Sequence, residues 1–433
     1  MRFCGGALAL TLLWTGVSAG QSPLTPAQRQ LNIDSFEQVW TTVHEKHWDP
    51  QLNGVDWQAV HDELRPKIEK AATMDEARDI LSDMLQRLKQ THFGVVPGDA
   101  YRELDAAGRG KSGASEGDPG LDLRVVDGHA LVTAVRPQSP AAAEGVKPGW
   151  EILCIDGKDF APGLSKVRAA MGSSTMIAMV ETRSLESRLE GPIDQTVEVE
   201  FLDSKDRKVT LRLPRSGPRG TETVFGALPP LHFWIEARKL QLDIGYVQFN
   251  MFFQPDAVIA AVQKTVAECT ECKGFVVDLR GNPGGLGALA MGLAGFFTNQ
   301  TGLRLGTMFL RTTSIKFAVF PRAEPFMGPL AILVDGCSAS TAEIFAGGMQ
   351  DLKRARVFGS HTAGAALPSL FDKLPNGDGF QYAIANYISE GGQPLEGRGV
   401  TPDEEVNVTR RQLLNGQDPI LDAAVSWIHG LKR

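Results

Sequence analysis

The stretch that decides the fold is residues 334–369, VDGCSASTAEIFAGGMQDLKRARVFGSHTAGAALPS. The apolar run LAILVDG (330–336) leads into it and reads as a buried strand. Small and hydroxyl-bearing residues follow, Cys337-Ser338-Ala339-Ser340, and then the helix-like TAEIFAGGMQDL. A second strand, RARVFG, ends in a loop of Gly, Ala and Thr. Strand, turn, helix and strand in this order predict α/β architecture, with sites at the carboxyl ends of the strands. A serine at the mouth of a helix faces free first-turn amides and the positive end of the helix dipole. Alone it is a weak nucleophile, so another group must take its proton.

The same alternation extends over 222–433. LDIGYVQFN (242–250) reads as a strand, PDAVIAAVQKTVAEC (255–269) as a helix, and ALAMGLAGFF (288–297) as another helix. Between them GFVVDLRGNPGG (274–285) is a hydrophobic strand ending in a glycine loop whose amides can approach negative charge. No Gly-Lys-Ser/Thr follows, which excludes a nucleotide-binding P-loop. An oxyanion hole is the other use of such a loop, with Asp278 and Arg280 placed to tie it down.

Three motifs occur in order: VVDLRGNPGG, the SAS.AEIF helix entry and the terminal LEGRGVTPDEEV. On these the chain resembles the C-terminal-processing (tail-specific) serine peptidases over essentially its whole mature length. The resemblance implies a multidomain α/β protein: a small helical N-terminal domain, a PDZ-like β domain and an α/β catalytic core of the ClpP/crotonase-like kind. It implies Ser340 as nucleophile, with Ser338 the capping or packing alternative. It implies an oxyanion hole from the Thr341 amide and that of Gly285 or Gly284. The tail-specific branch takes its base from a lysine in a T-x-G-K-G pattern. Here the chain reads Thr362-Ala363-Gly364-Ala365-Ala366, with Ala365 where that lysine should be. Lys353 and Lys373 do not fit the pattern, so a Ser-Lys mechanism is not available. A second branch, resembling the tricorn protease core, uses a hydroxyl residue followed by His at the end of the helical domain, and a Glu near the C-terminus. The matching residues are Thr91-His92 in LKQTHFGV and Glu396 in LEGRGVTPD. The implied assembly is Ser340 nucleophile, His92 base, and Glu396 and Thr91 in support. His361, in GSHTAG, is the competing base, and Glu396 has a salt bridge to Arg398 as its plainer role. Glu343, one turn into the helix after Ser340, reads as a structural hydrogen-bond acceptor. The function implied is an exported serine endopeptidase that cleaves unfolded or C-terminally exposed polypeptides through an acyl-enzyme. Its rival is a catalytically inactive family member that binds or scaffolds.

Residues 118–213 switch to short strands. LDLRVVDGHALVTAVR (121–136) reads as a hairpin turning at Asp127-Gly128. SPAAAEGVKPGWEILCIDGKDF (139–160) continues it, and together they resemble the PDZ type inserted in this peptidase family. The resemblance makes peptide C-termini the ligand, with Gly120, Leu121, Asp122 and Leu123 as the carboxylate-holding loop. Residues 22–97 read as helices, with Phe36, Val39 and Trp40 at helical spacing and Asp56 and Asp75 as caps or first-turn acids. Residues 98–117 are Gly, Ser and charge, a linker.

The N-terminal MRFCGGALALTLLWTGVSAGQ reads as a secretory signal peptide, 1–19, with cleavage after Ala19. Cys4 comes too early for a lipoprotein anchor. No later segment reaches membrane-spanning length, so an exported protein, periplasmic or secreted, is expected. Cys269 and Cys272 form a C-x-x-C with no partner set for zinc, leaving a helix-end disulfide or two free thiols. Cys154 and Cys337 lie in apolar strand patterns and are expected to be buried. The length of 433 residues suggests two or three domains. A net charge of −7 with no basic run argues against a nucleic-acid surface. No metal or other cofactor is implied, and the family leaves an oligomer open.

Overall fold

The structure is a computed structural model that describes residues 23–98, 116–226, 228, 230–241 and 243–431. The expected signal peptide and nearly all of the expected linker lie outside the described residues. Three helices open the fold: α1 (Pro26–Lys46), α2 (Trp57–Lys70) and α3 (Met74–Gln86). Thr25, Asp56 and Thr73 cap their N-termini by accepting from first-turn amides, and Asp75 is a first-turn acid. Their apolar faces meet through Phe36, Val39, Leu64, Ile68, Leu81 and Met84. The helical expectation fails at its end. Gly94–Val96 is a strand, β1, paired antiparallel with residues 379–381. A glycine and two β-branched residues favour extended backbone once a distant partner strand is present.

The next unit is an antiparallel sheet of β2 (Leu121–Val126), β3 (His129–Val135), β4 (Glu151–Ile155), β5 (Thr196–Leu202) and β6 (Lys208–Pro214), in that order, with β2 at an edge. Asp127 and Gly128 both have positive φ (51° and 89°), as a two-residue type I′ hairpin turn requires. Two helices not anticipated from the strand pattern, α4 (Ala161–Met171) and α5 (Ile177–Leu189), interrupt the sheet. Cys154 is half-buried rather than buried, because a bulge between Ile152 and Cys154 breaks the in–out alternation of β4.

A hairpin, β7 (Thr221–Thr223) and β8 (Leu231–Phe233), leads into the main sheet. That sheet has the order β9 (Ile235–Leu240), β10 (Ile244–Phe249), β11 (Gly274–Asp278), β14 (Leu330–Val334), β15 (Arg356–Gly359) and β19 (Glu404–Glu405). All are parallel except the edge strand β9. β11 and β14 are buried along their whole length, as expected of strands covered on both faces. Helices α6 (Pro255–Glu268), α7 (Gly287–Ala294) and α8 (Thr341–Asp351) cover one face through Val258, Val262, Leu289 and Phe345. Helix α9 (Pro419–Gly430) covers the other through Ile420, Ala424 and Ile428. Cys269 and Cys272 form a disulfide at the end of α6. Cys337 is buried, but in the loop after β14 rather than in a strand.

Four further strands flank the core: β12 (Arg304–Leu310), β13 (Ser314–Ala318), β16 (Ser369–Lys373) and β17 (Gly379–Ala383); β18 (Ala385–Ser389) pairs with β12. β17, through Phe380 and Tyr382, and the residues flanking β16, Leu367 and Leu374, share a core with the N-terminal helices. Among the described residues, no helix is long and apolar enough to cross a membrane.

Candidate active site

The loops after β10, β11, β14 and β15 leave the sheet at its carboxyl edge, and the glycine loop and Ser340 meet there. β14 runs to Val334, a five-residue turn follows, and Ser340 is the N-cap of α8. Its backbone sits at φ 54°, ψ −120°. A serine at positive φ between a strand and a helix is the strained geometry that presents a hydroxyl at the head of a sheet, at a cost of about 1–3 kcal/mol. The surroundings hold the strain in place. The Ser340 amide donates to Ala365 O (2.7 Å) and to the Glu343 carboxylate (2.9 Å).

The glycine loop packs directly on this residue. A Cβ at Gly284 would lie 2.6 Å from Ser340 Cβ and 2.8 Å from Thr341 N, so only glycine fits. The Gly284 amide is already committed to Asn282 Oδ1 (2.9 Å). The Gly285 amide has no such partner among the described residues, while Thr341 Oγ1 donates to Gly285 O (2.7 Å). Of the two glycines, Gly285 is therefore the one with a free donor beside the Thr341 amide. Ser338 is a tie: its hydroxyl donates to Leu279 O (2.8 Å) and binds Asp335, joining the two loops.

Asp335 was not foreseen. Its carboxylate accepts from Gly281 N (2.9 Å) and Cys337 N (3.0 Å), and Arg124 of β2 reaches across to it (Nε to Oδ2, 2.6 Å). Burial alone would raise this carboxyl. The Arg124 guanidinium and the loop amides reverse that and hold it below the usual range. Asp278 and Arg280 do brace the glycine loop: Arg280 bridges Asp278 (2.6 Å) and Asp418 at the start of α9 (2.7 Å). Glu343 accepts from Thr362 Oγ1, Gly364 N and Ala365 N as well as Ser340 N. Burial pushes it up to about 7 in spite of those bonds.

Thr91 and His92 arrive from the end of the helical layer. Thr91 Oγ1 donates to Glu396 Oε2 (2.8 Å) and lies 2.7 Å from His92 Nδ1. A hydroxyl has one proton. With that proton donated in the hydrogen bond to Glu396, the Thr91 oxygen accepts from His92 Nδ1–H, which in the neutral ring leaves Nε2 unprotonated. Glu396 also accepts from Thr91 N (2.8 Å) and Ala366 N (3.1 Å). Burial pushes Glu396 up and His92 down to about 4, so the imidazole is neutral at pH 7. His92 itself has φ 61°. Residues 365–366 connect the two halves: the Ala365 carbonyl holds Ser340 N, and the Ala366 amide holds Glu396.

The other candidates have contacts of their own. His361 Nδ1 faces its neighbour's carbonyl, Thr362 O (3.0 Å). Glu396 has no ion pair with Arg398, which bonds Gln393 instead. Lys353 and Lys373 are exposed. Ala365 is buried in an apolar cluster with Met171, Met176, Met179 and Cys337, an environment that penalises a charged amine. In the β unit, Leu123 is in the core, Leu121 is half-buried, Asp122 is exposed, and Gly120 has φ 86° with its amide on Asp118 (2.6 Å). A larger cleft of about 1360 Å³ lies elsewhere, beside Cys269 and Arg322. No group of three or more His, Cys, Asp or Glu among the described residues is placed to hold a metal ion.

Residues 243–406 match the family model of peptidase family S41, and residues 34–86 match that of the tricorn protease C1 domain. A carboxyl-terminal-processing protease of Picosynechococcus sp. is 26% identical over 388 residues, 86% of this chain and 83% of the relative. A putative tricorn protease homolog 2 of Streptomyces coelicolor is 25% identical over 90% of this chain, but over only 32% of its own length. The solved photosystem II D1 C-terminal processing protease has the same fold, with a TM-score of 0.57, 21% identity, and 89% and 94% of the two chains covered.

Proposed function

We propose that this chain, a serine peptidase of the C-terminal-processing family with an S41 core, cleaves polypeptides with Ser340, and that its base is His92. The observation that carries the reading is the hydrogen-bond order Glu396–Thr91–His92, which leaves Nε2 as the acceptor. Ser340 Oγ attacks the scissile carbonyl carbon and its proton passes to His92 Nε2. Negative charge develops on the carbonyl oxygen, for which the Gly285 and Thr341 amides are the available donors. His92 returns the proton to the leaving amine as the C–N bond breaks, and an acyl-enzyme on Ser340 remains. Water, deprotonated by the same imidazole, releases the acid product. Glu396, acting through Thr91, stabilises the imidazolium that forms.

The small β unit supports a PDZ-type role. β2 is an edge strand with α5 beside it, so an extended peptide could add to that edge with its carboxylate near residues 120–123. The chain then acts on exposed polypeptide tails, after export through the N-terminal leader. A fluorophosphonate label tests the core of the reading. Wild type takes label, while Ser340→Ala takes none. Absence of label from folded wild type would point instead to a binding protein on this fold. Binding by Ser340→Ala of peptides with a free carboxylate, but not of the same peptides amidated, tests the tail preference.

A further inference from the structure

The geometry points to the β7–β8 hairpin as a wall of the substrate cleft, with Phe225 and Val224 as its contact for a bulky apolar side chain beside the scissile bond. The inference rests on the reading of Ser340 as a peptidase nucleophile.

Topology places the hairpin first. β9 runs antiparallel to β10, with Ile235 opposite Phe249, so the chain entering β9 lies at the carboxyl edge where the catalytic loops emerge. Hydrogen bonds then fix it there. Asn250 Oδ1 accepts from Trp234 N (2.9 Å), and Asn250 Nδ2 donates to His232 O (2.7 Å). Gln254 Nε2 donates to Thr223 Oγ1 (2.6 Å). The same 250–254 loop is stitched to the oxyanion loop: Phe252 N donates to Gly284 O (2.7 Å), and Leu286 N donates to Phe252 O (2.8 Å). The hairpin is therefore coupled through one loop to the glycines that flank Ser340.

Its turn begins with two apolar residues that the fold leaves open. Val224 is 67% exposed and Phe225 45% exposed. Scattered surface apolar residues mean little, but this pair is adjacent and supported from below. The Phe225 ring packs on the buried Phe253 ring at a centroid distance of 5.3 Å, next to the residue bonded to the oxyanion loop. An aromatic ring held this way loses little freedom on binding and presents an apolar face. The occupant it fits is a Phe, Leu or Met side chain of an unfolded polypeptide lying across the cleft.

The test uses the full chain and quenched peptides in which Phe or Ala is placed in turn at each position flanking the cleaved bond. Wild type should favour Phe over Ala in kcat/KM at one flanking position. Phe225→Ala should reduce that preference about tenfold, the scale of an apolar side-chain contact, while Phe225→Leu keeps most of it. An unchanged preference in Phe225→Ala at every position, with Ser340 still labelled, overturns the inference alone. A wild type that takes the label but cleaves no peptide of the set also overturns it. A wild type with neither label nor cleavage removes the peptidase reading beneath it.

Discussion

Ser340 and His92 are non-glycine residues at positive φ, 54° and 61°. Such conformations persist only where surrounding bonds over-determine them, and they concentrate at functional sites. Each is held by a carboxylate: Glu343 accepts from the Ser340 amide, and Glu396 accepts from the Thr91 hydroxyl that meets His92 Nδ1. As the proposed base, His92 is unusual in its proton affinity. Burial lowers His92 from the ordinary imidazole value to about 4. It is neutral above that value and becomes protonated, hence useless as a base, as pH falls through it. The acid limb of kcat/KM is therefore expected well below 6.5, the usual imidazole value. His92→Ala should lower kcat by roughly a thousandfold or more, while His361→Ala stays near wild type. An acid limb at 6.5, or loss of activity in His361→Ala alone, would contradict the assignment. The residues proposed for the site, Ser340, Thr91, His92 and Glu396, were each picked out by a short motif. The choice of Gly285 over Gly284 was not, because it depends on which amide Asn282 has already taken.

At the scale of elements, the catalytic loops are braced from two directions. Asp335 binds the glycine loop at Gly281 and the nucleophile turn at Cys337 and Ser338, and Arg124 on β2 holds Asp335. A strand of the small β unit thus braces the glycine loop against the turn that carries Ser340, the spacing on which the proposed oxyanion donors depend. Arg124→Ala should lower kcat by roughly a hundredfold, as misplacement by about an ångström does, with a smaller change in KM. Arg124→Lys should recover only part, since an ammonium does not reproduce the guanidinium fork. Steady-state kinetics decide this, and a variant that changes only KM would argue against the brace. The β–α alternation of the core was readable from hydrophobic period and glycine placement. Helices α4 and α5 were not, because the strand signals on either side dominated the reading of that region. β1 was missed because its partner β17 lies at the far end of the sequence.

At the scale of the whole molecule, the site is assembled from pieces that cannot complete it alone. His92 follows the helical layer, and that layer is fastened to the core by β1–β17 pairing and a shared apolar core. One buried group anchors the junction. Asp378 is fully buried and accepts from Arg78 (2.9 Å), Gly98 N (2.6 Å) and Asn376 Nδ2 (3.1 Å). Losing Asp378 removes the acceptor that the Gly98 amide, Asn376 and Arg78 share, and a buried donor left unsatisfied costs about 1–3 kcal/mol. Asp378→Ala should therefore lower the melting temperature and kcat together, although it touches neither Ser340 nor His92. Retained kcat at a reduced melting temperature would show that the base does not depend on this junction.

The sequence by itself determined the α/β core, the glycine loop, the helix entry at Ser340 and the absence of a lysine at position 365. All of these are local, carried by period, glycine placement and residue type within a few positions. The tertiary structure decided the rest: the hydrogen-bond order through Thr91, a Gly285 amide without a partner among the described residues, the Arg124 brace and the hairpin beside the glycine loop. Each is a contact between residues far apart in the chain. A hydrogen bond's direction or a ring's exposure depends on which distant group comes to lie against it, and no short stretch of sequence specifies that.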